Sequence, residues 1–262
     1  DTSGLLKINL NCEEDRSTPI YYSLVNIKAG EEFNFQQTAP ILKEMLGNCF
    51  FDIILESNEE TLLQKSSSEI SIVRDLRVEA KLNNPVQKPG NIINIQGSIR
   101  KTNGIRSERG SITFILNNKL HVDTFSDGDF SFDLTLPEDI SSGEHTIEIN
   151  TEDLNDNVGK STLFFSVISV PMSITLNLDK NNFLPGEVLP VKALLLDQAG
   201  DTISKTVRLE IIDPTGNTDS VRNTISGNIE EVKLDKFVKP GEWKLKVESD
   251  KLSSEESFFI EK

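Results

Sequence analysis

The feature that most constrains this chain is a recurring spacing of glycines. Gly47 precedes "NCFFDIIL", Gly143 precedes "EHTIEI" and Gly241 precedes "EWKLKV", at separations of 96 and 98 residues. A second landmark keeps the same step, because Gly90 in "QKPGNIINIQG" and Gly186 in "FLPGEVLPVKA" lie 96 residues apart. The segments "EEFNFQQTAP" (31–40) and "GDFSFDLTLP" (128–137) extend the match, each with two Phe two residues apart and a Pro seven positions after the first. Such self-similarity makes each period a structural unit, so the fold has to be read unit by unit.

Within each period, short runs rich in Val, Ile, Thr and Phe alternate with Gly, Pro, Asn and Asp, and helical periodicity is nearly absent. That pattern predicts an all-β chain. "ILKEMLG" (41–47) is the one segment that suggests a helical turn. A period of this length with about seven short strands has the size of an immunoglobulin-like sandwich. The expected fold is therefore a set of tandem immunoglobulin-like β-sandwich domains over 1–75, 76–169 and 170–262. The Pro-Gly turns would link the first two strands of a unit, Pro presetting φ and Gly accepting φ > 0. The first unit matches only the later part of the period. Two readings stay open for it: a partial sandwich whose first two strands lie upstream, or a compact one helped by a covalent bridge.

Cys12 and Cys49 are the two cysteines, beside the strand-like runs "LLKINLNC" and "NCFFDIIL". In a secreted protein they would close a loop of about 36 residues and stabilise by about 3–4 kcal/mol. The alternative is a pair of buried thiols in a cytosolic protein; the disulfide is the favoured reading. The 42 Asp and Glu against 27 Lys and Arg give a net charge of -15, which repels DNA and RNA and excludes nucleic acid as a partner class. "STLFFSVISVPMSITLNL" (161–178) has the length of a membrane helix. Its Ser and Thr content and mid-run Pro171 instead predict two strands joined at that proline, and no membrane span. A start at Asp1 with no Met reads as a processed form or an excised fragment.

"DLNDNVGKST" (153–162) carries three signals at once. A phosphate loop needs Gly where Leu154 stands, and a helix where a strand-like run follows. The D-x-N-D-N pattern resembles cadherin linkers, but those work at a domain boundary, and here the next unit begins about 12 residues later. The favoured reading is the hairpin turn between the last two strands of the second unit, with Asn and Asp bonding their own backbone. A local calcium site using Asp153, Asn155 and Asp156 as oxygen ligands is the alternative. "DTFSDGDF", with Asp123, Asp127 and Asp129, reads as a turn around Asp-Gly rather than a metal site. His121 and His145 follow no motif, and Gly-x-Ser-x-Gly, His-Glu-x-x-His and Cys-x-x-Cys are all missing from the sequence. No catalytic residue or cofactor is expected beyond calcium. Trp243 reads as a core or rim anchor rather than a sugar platform, and one of Tyr21 and Tyr22 has to face outward on a strand.

"NNFLPGEVLPVKALLLDQAGDTISKTVRLEIIDPTGN" (181–217) resembles the opening of macroglobulin-type and bacterial Ig-like modules of surface and secreted proteins. It has an aromatic before Pro-Gly-Glu, a "D..G..I" turn and a strand ending in "DP.G". Residues 76–168 are similar to bacterial Ig-like repeats through "DGDFSFDLTLP", "SGEHTIEI" and "D..DN.GKST..F.V". Together these segments cover about two thirds of the chain, and they are specific for fold more than for function. The resemblance implies a non-catalytic stalk, spacer or surface-lattice segment of a prokaryotic cell-surface protein, extracellular in location. Its partners would be neighbouring domains or copies of itself. The alternatives are an adhesion module that binds glycans or surface proteins, and accessory domains of a larger secreted enzyme.

Overall fold

A computed structural model describes residues 1–12, 16–34, 36, 38, 40–41 and 45–262. Among these, every regular element is a β-strand. The helical turn suggested at 41–47 rests on residues 42–44, which lie outside the described residues; Gly47 itself opens a strand.

The strands fall into three sets with no pairing between them across residues 168–172, or between those ending at Ile72 and those starting at Asp75. The first holds β1 (Thr2–Cys12), β2 (Arg16–Ile27), β3 (Gly47–Ser57), β4 (Glu60–Ser66) and β5 (Ile70–Ile72). The second holds β6 (Asp75–Leu82), β7 (Val86–Gln87), β8 (Ile92–Lys101), β9 (Arg109–Leu116), β10 (Lys119–Ser126), β11 (Asp129–Thr135), β12 (Gly143–Asp153) and β13 (Val158–Val167). The third holds β14 (Ser173–Leu178), β15 (Asn182–Phe183), β16 (Val188–Leu196), β17 (Thr206–Ile212), β18 (Thr218–Ile225), β19 (Ile229–Lys233), β20 (Gly241–Ser249) and β21 (Leu252–Ile260).

The sequence period is a repeated sheet. The antiparallel orders β2-β1-β3-β4, β10-β9-β12-β13 and β18-β17-β20-β21 are one arrangement used three times. A hairpin comes first, a strand then returns beside the hairpin's first member, and a second hairpin ends the unit. Gly47, Gly143 and Gly241 open the returning strand with φ of 94°, 110° and 132°, a region that a side chain strains. The two Pro-Gly turns form, closed by Asn91 N–H to the Lys88 carbonyl and Glu187 N–H to the Leu184 carbonyl, but they join the second and third strands of their units, β7 to β8 and β15 to β16, rather than the first two. The "DKLSSE" connection is a two-residue turn at Asp250 and Lys251, with Asp250 left-handed, and Leu252–Glu255 already belong to β21.

In the second and third units three further strands, β6-β8-β11 and β14-β16-β19, face that sheet. Alternating residues meet between the layers: Ile93, Ile95 and Ile99 of β8 against Phe114, Ile147 and Ile149, and Leu189 and Leu195 of β16 against Leu245 and Val247. In the second unit the strands also close a seven-membered ring through β12–β13. Its two seams are thin, one residue pair between β10 and β11 and two between β6 and β13. The ring is thus a flattened barrel. Gly97 lies under the ring of Phe130 and Gly110 under that of Phe125, each glycine paired directly with its aromatic across the strands.

The first unit has the four-stranded sheet, and the described residues supply no second sheet against it. Leu6, Ile8 and Leu10 on β1 stand opposite Leu55, Ile53 and Phe51 on β3. Cys12 and Cys49 continue this row as a disulfide with Cα atoms 4.0 Å apart. The bridge therefore ties neighbouring strands of one sheet, and Met45 packs on it. The segment 31–40, matched in sequence to the β11 region, is not strand at any described residue. The reason is topological: β11 takes its ladder bonds from β8, and the described residues of the first unit include no counterpart of β8.

Candidate functional site

Three turns share one construction, and two of them lie where units meet. Asp153, Asp197 and Asp213 each follow or end a strand and cap a five-residue turn, "DLNDN", "DQAGD" and "DPTGN". In each, Oδ1 accepts the N–H groups two and four residues on. The distances are 2.8 and 3.0 Å from Asn155 and Asn157, 2.9 and 2.9 Å from Ala199 and Asp201, and 2.9 and 3.0 Å from Thr215 and Asn217. The fourth residue is left-handed, Asp156 at φ 60° and Gly200 and Gly216 at 85°. The carboxylate thus satisfies loop N–H groups that have no ladder partner.

The second oxygen differs, and with it the role of the turn. Asp153 Oδ2 accepts the Ser107 hydroxyl at 3.1 Å and the Asn157 side-chain amide at 2.8 Å, inside the second unit. Asp213 Oδ2 accepts Lys239 Nζ at 3.0 Å. Asp197 Oδ2 accepts the hydroxyl of Ser142, which belongs to the second unit, at 2.8 Å. The next residue, Gln198, completes this junction: its Nε2 donates to the Ile140 carbonyl at 2.8 Å, and its Oε1 accepts the N–H of Val170 in the connecting segment at 2.8 Å. One side chain therefore holds the linker and both flanking units. At the other junction Val158 N–H donates to the Arg74 carbonyl at 2.8 Å. There Leu154–Asn157 face 72–75 and 101–103 across a cleft of about 690 Å³.

Burial pushes the Asp153 carboxyl up, but the bonds from Asn157, Asn155 and Ser107 outweigh it and hold it below the ordinary value. Asp197 is balanced the same way, with Ser142 leading the donors. The Thr215 hydroxyl, then the Asn217 N–H and Lys239, hold Asp213 well below the usual carboxylate range.

Asp153, Asn155 and Asp156 lie on one loop, as the sequence places them, but the Asp153 carboxylate turns inward and is engaged by four protein donors, and Asn155 contributes its main-chain N–H. Among the described residues no group of three or more His, Cys, Asp or Glu side chains is gathered as a metal cluster. Asp127 and Gly128 form the two-residue turn with φ of 53° and 70°, Asp129 pairs with Arg106 at 2.6 Å, and Asp123 bonds the N–H of Thr124. The two histidines are half-buried on their strands, His145 stacked on Phe165 with Nε2 2.8 Å from the Ser141 carbonyl oxygen. Trp243 is 3% exposed and donates Nε1–H to the Lys239 carbonyl, which makes it a core anchor. Tyr21 is half-buried and Tyr22 exposed. Sequence reasoning missed Gln198 and Ser142. The signal was present in "DQAGD", which has the same Asp, left-handed fourth residue and polar fifth residue as "DLNDN". No protein-family model matches the chain, and no curated protein matches it.

Proposed function

We propose that this chain is a non-catalytic extracellular module: tandem immunoglobulin-like units serving as stalk, spacer or lattice segment of a prokaryotic cell-surface protein. The observation that carries the reading is the clamp at residues 197 and 198. A flexible tether has no use for a third-unit side chain bonded to both the linker and the second unit, whereas a spacer that sets distance and orientation does. The disulfide is in keeping with an oxidising compartment. Among the described residues no helix is long and apolar enough to cross a membrane. Calcium held by Asp153, Asn155 and Asp156 is the alternative role for that loop, and thermal scans in calcium and in chelator decide between it and a plain turn. The test of the spacer is small-angle scattering of the wild type and of Gln198→Ala. The wild type should give a single extended form and the variant a wider spread of sizes; identical profiles would remove the clamp from the account.

A second reading, an adhesion module for glycans or surface proteins, draws on Phe237. It is 94% exposed in the loop before Gly241, which presents an aromatic face that a ligand could stack on. Glycan-array or cell-surface binding that Phe237→Ala abolishes would favour it.

A further inference from the structure

We propose that the free edge of β2 pairs antiparallel with β2 of a second copy, with Ser23 on the two-fold axis. The repeated sheet leaves an equivalent strand at its edge in every unit, β2, β10 and β18, and two of the three are protected. β10 carries Lys119, His121 and Asp123 along its length, and its end is stitched to β11 through Ser126 and Asp129. β18 carries Asp219 and Arg222, and the Arg222 guanidinium reaches Glu230 Oε1 at 3.0 Å and the Glu231 carbonyl at 3.3 Å, tying the edge to β19. Charges and covered edges of this kind are how sheets avoid adding strands.

Among the described residues β2 has neither device along most of its length. From Ser17 to Ile27 it holds no charged side chain, in a chain of net charge -15, and Pro19 guards only one end. Leu24 is 84% exposed and Tyr22 56%, both on the outer face. Two copies repel each other as wholes, so an uncharged strand is where they approach at least cost, which favours a second copy over an acidic or basic partner. An axis through Ser23 sets Tyr22 against Leu24 twice on the outer face and Tyr21 against Val25 twice on the inner face. Apolar residues then meet apolar residues without a change of face. The product is a continuous sheet through both first units. This inference stands apart from the spacer reading, because a monomer would leave the clamp at Gln198 as it is.

The test is sedimentation velocity of the whole chain over rising concentration and salt, for the wild type, Leu24→Lys and Val122→Lys, with thermal melts confirming that each variant folds. The wild type should dimerise, more strongly as salt screens the net charge. Leu24→Lys should weaken the dimer by about tenfold or more, since the two-fold doubles every change. Val122→Lys, on the β10 edge, should dimerise as the wild type does. Tyr22→Lys replaces Leu24→Lys if that variant fails to fold. A wild type that stays monomeric throughout, a lysine in β2 without effect, or a dimer lost with Val122→Lys would each overturn the proposal.

Discussion

Replacing Asp153 by Ala removes one carboxylate and strands four donors. The Ser107 hydroxyl is fully buried and the Asn157 amide partly so, and both donate to Asp153 Oδ2. Leaving them unpaired costs about 1 kcal/mol or more each. Loss of the cap on the Asn155 and Asn157 N–H groups adds about 1 kcal/mol, as for other Asp caps. The second unit should therefore lose about 3 kcal/mol. For a unit of this size that is a fall of roughly 10–20 °C in Tm. Asp153→Asn keeps one oxygen for the turn but points an amide at Ser107 and Asn157, so it should cost roughly half as much. Calorimetry of the intact chain reads the second unit's transition against the other two. A shift below roughly 2 °C for Asp153→Ala would refute the reasoning. The same scans in calcium and in chelator test the loop as a cation site. With its acceptor positions taken by protein donors, Asp153 should give no calcium-dependent shift. A calcium-induced rise in Tm that Asp153→Ala abolishes would establish the site.

Acid should weaken the third unit in a defined window. Asp213 has its folded pKa depressed, so its contribution is complete above the ordinary value of 3.8 and is lost as the pH falls below that toward the folded value; Asp213→Asn should flatten that part of the Tm–pH curve. Reducing the Cys12–Cys49 bridge, which spans 37 residues of sequence, should cost the first unit about 3–4 kcal/mol and leave the other two transitions in place. Gly97→Ala should destabilise the second unit by more than Gly104→Ala, which meets no neighbouring atom and costs only the strain of a side chain at φ 84°, measured by the same melts. A Cβ at 97 would lie 2.2 Å from the Glu79 carbonyl oxygen and 2.5 Å from the Phe130 ring, whereas the space around 104 is open.

The all-β class and the three-fold period were legible because their signals are local. Turn glycines, Pro-Gly pairs and alternating apolar runs are set by a few neighbouring residues, and Gly47, Gly143 and Gly241 mark the same strand in each unit. The Asp153 turn was legible for the same reason. What escaped was long-range. The clamp at Gln198 depends on Ile140, 58 residues earlier, meeting the turn after β16, and nothing in "DQAG" says which surface it will face. The single sheet among the described residues of the first unit was half legible: the sequence shows a match to only the later part of the period. That the described residues of "EEFNFQQTAP" do not repeat β11 follows from the partner strand that the described first unit lacks, a fact of topology rather than of the segment. The exposed pair Tyr22 and Leu24 was half legible too, since alternation puts one tyrosine outside but does not say that the strand is an edge.

A linker held by Asp197 and Gln198 should keep the second and third units in one orientation. Residual dipolar couplings from the backbone amides of each unit test it most directly. In the wild type both units should fit a single alignment tensor, and in the double variant Asp197→Ala, Gln198→Ala they should separate. Two different tensors in the wild type would contradict the account, because the junction would then be a hinge rather than a clamp.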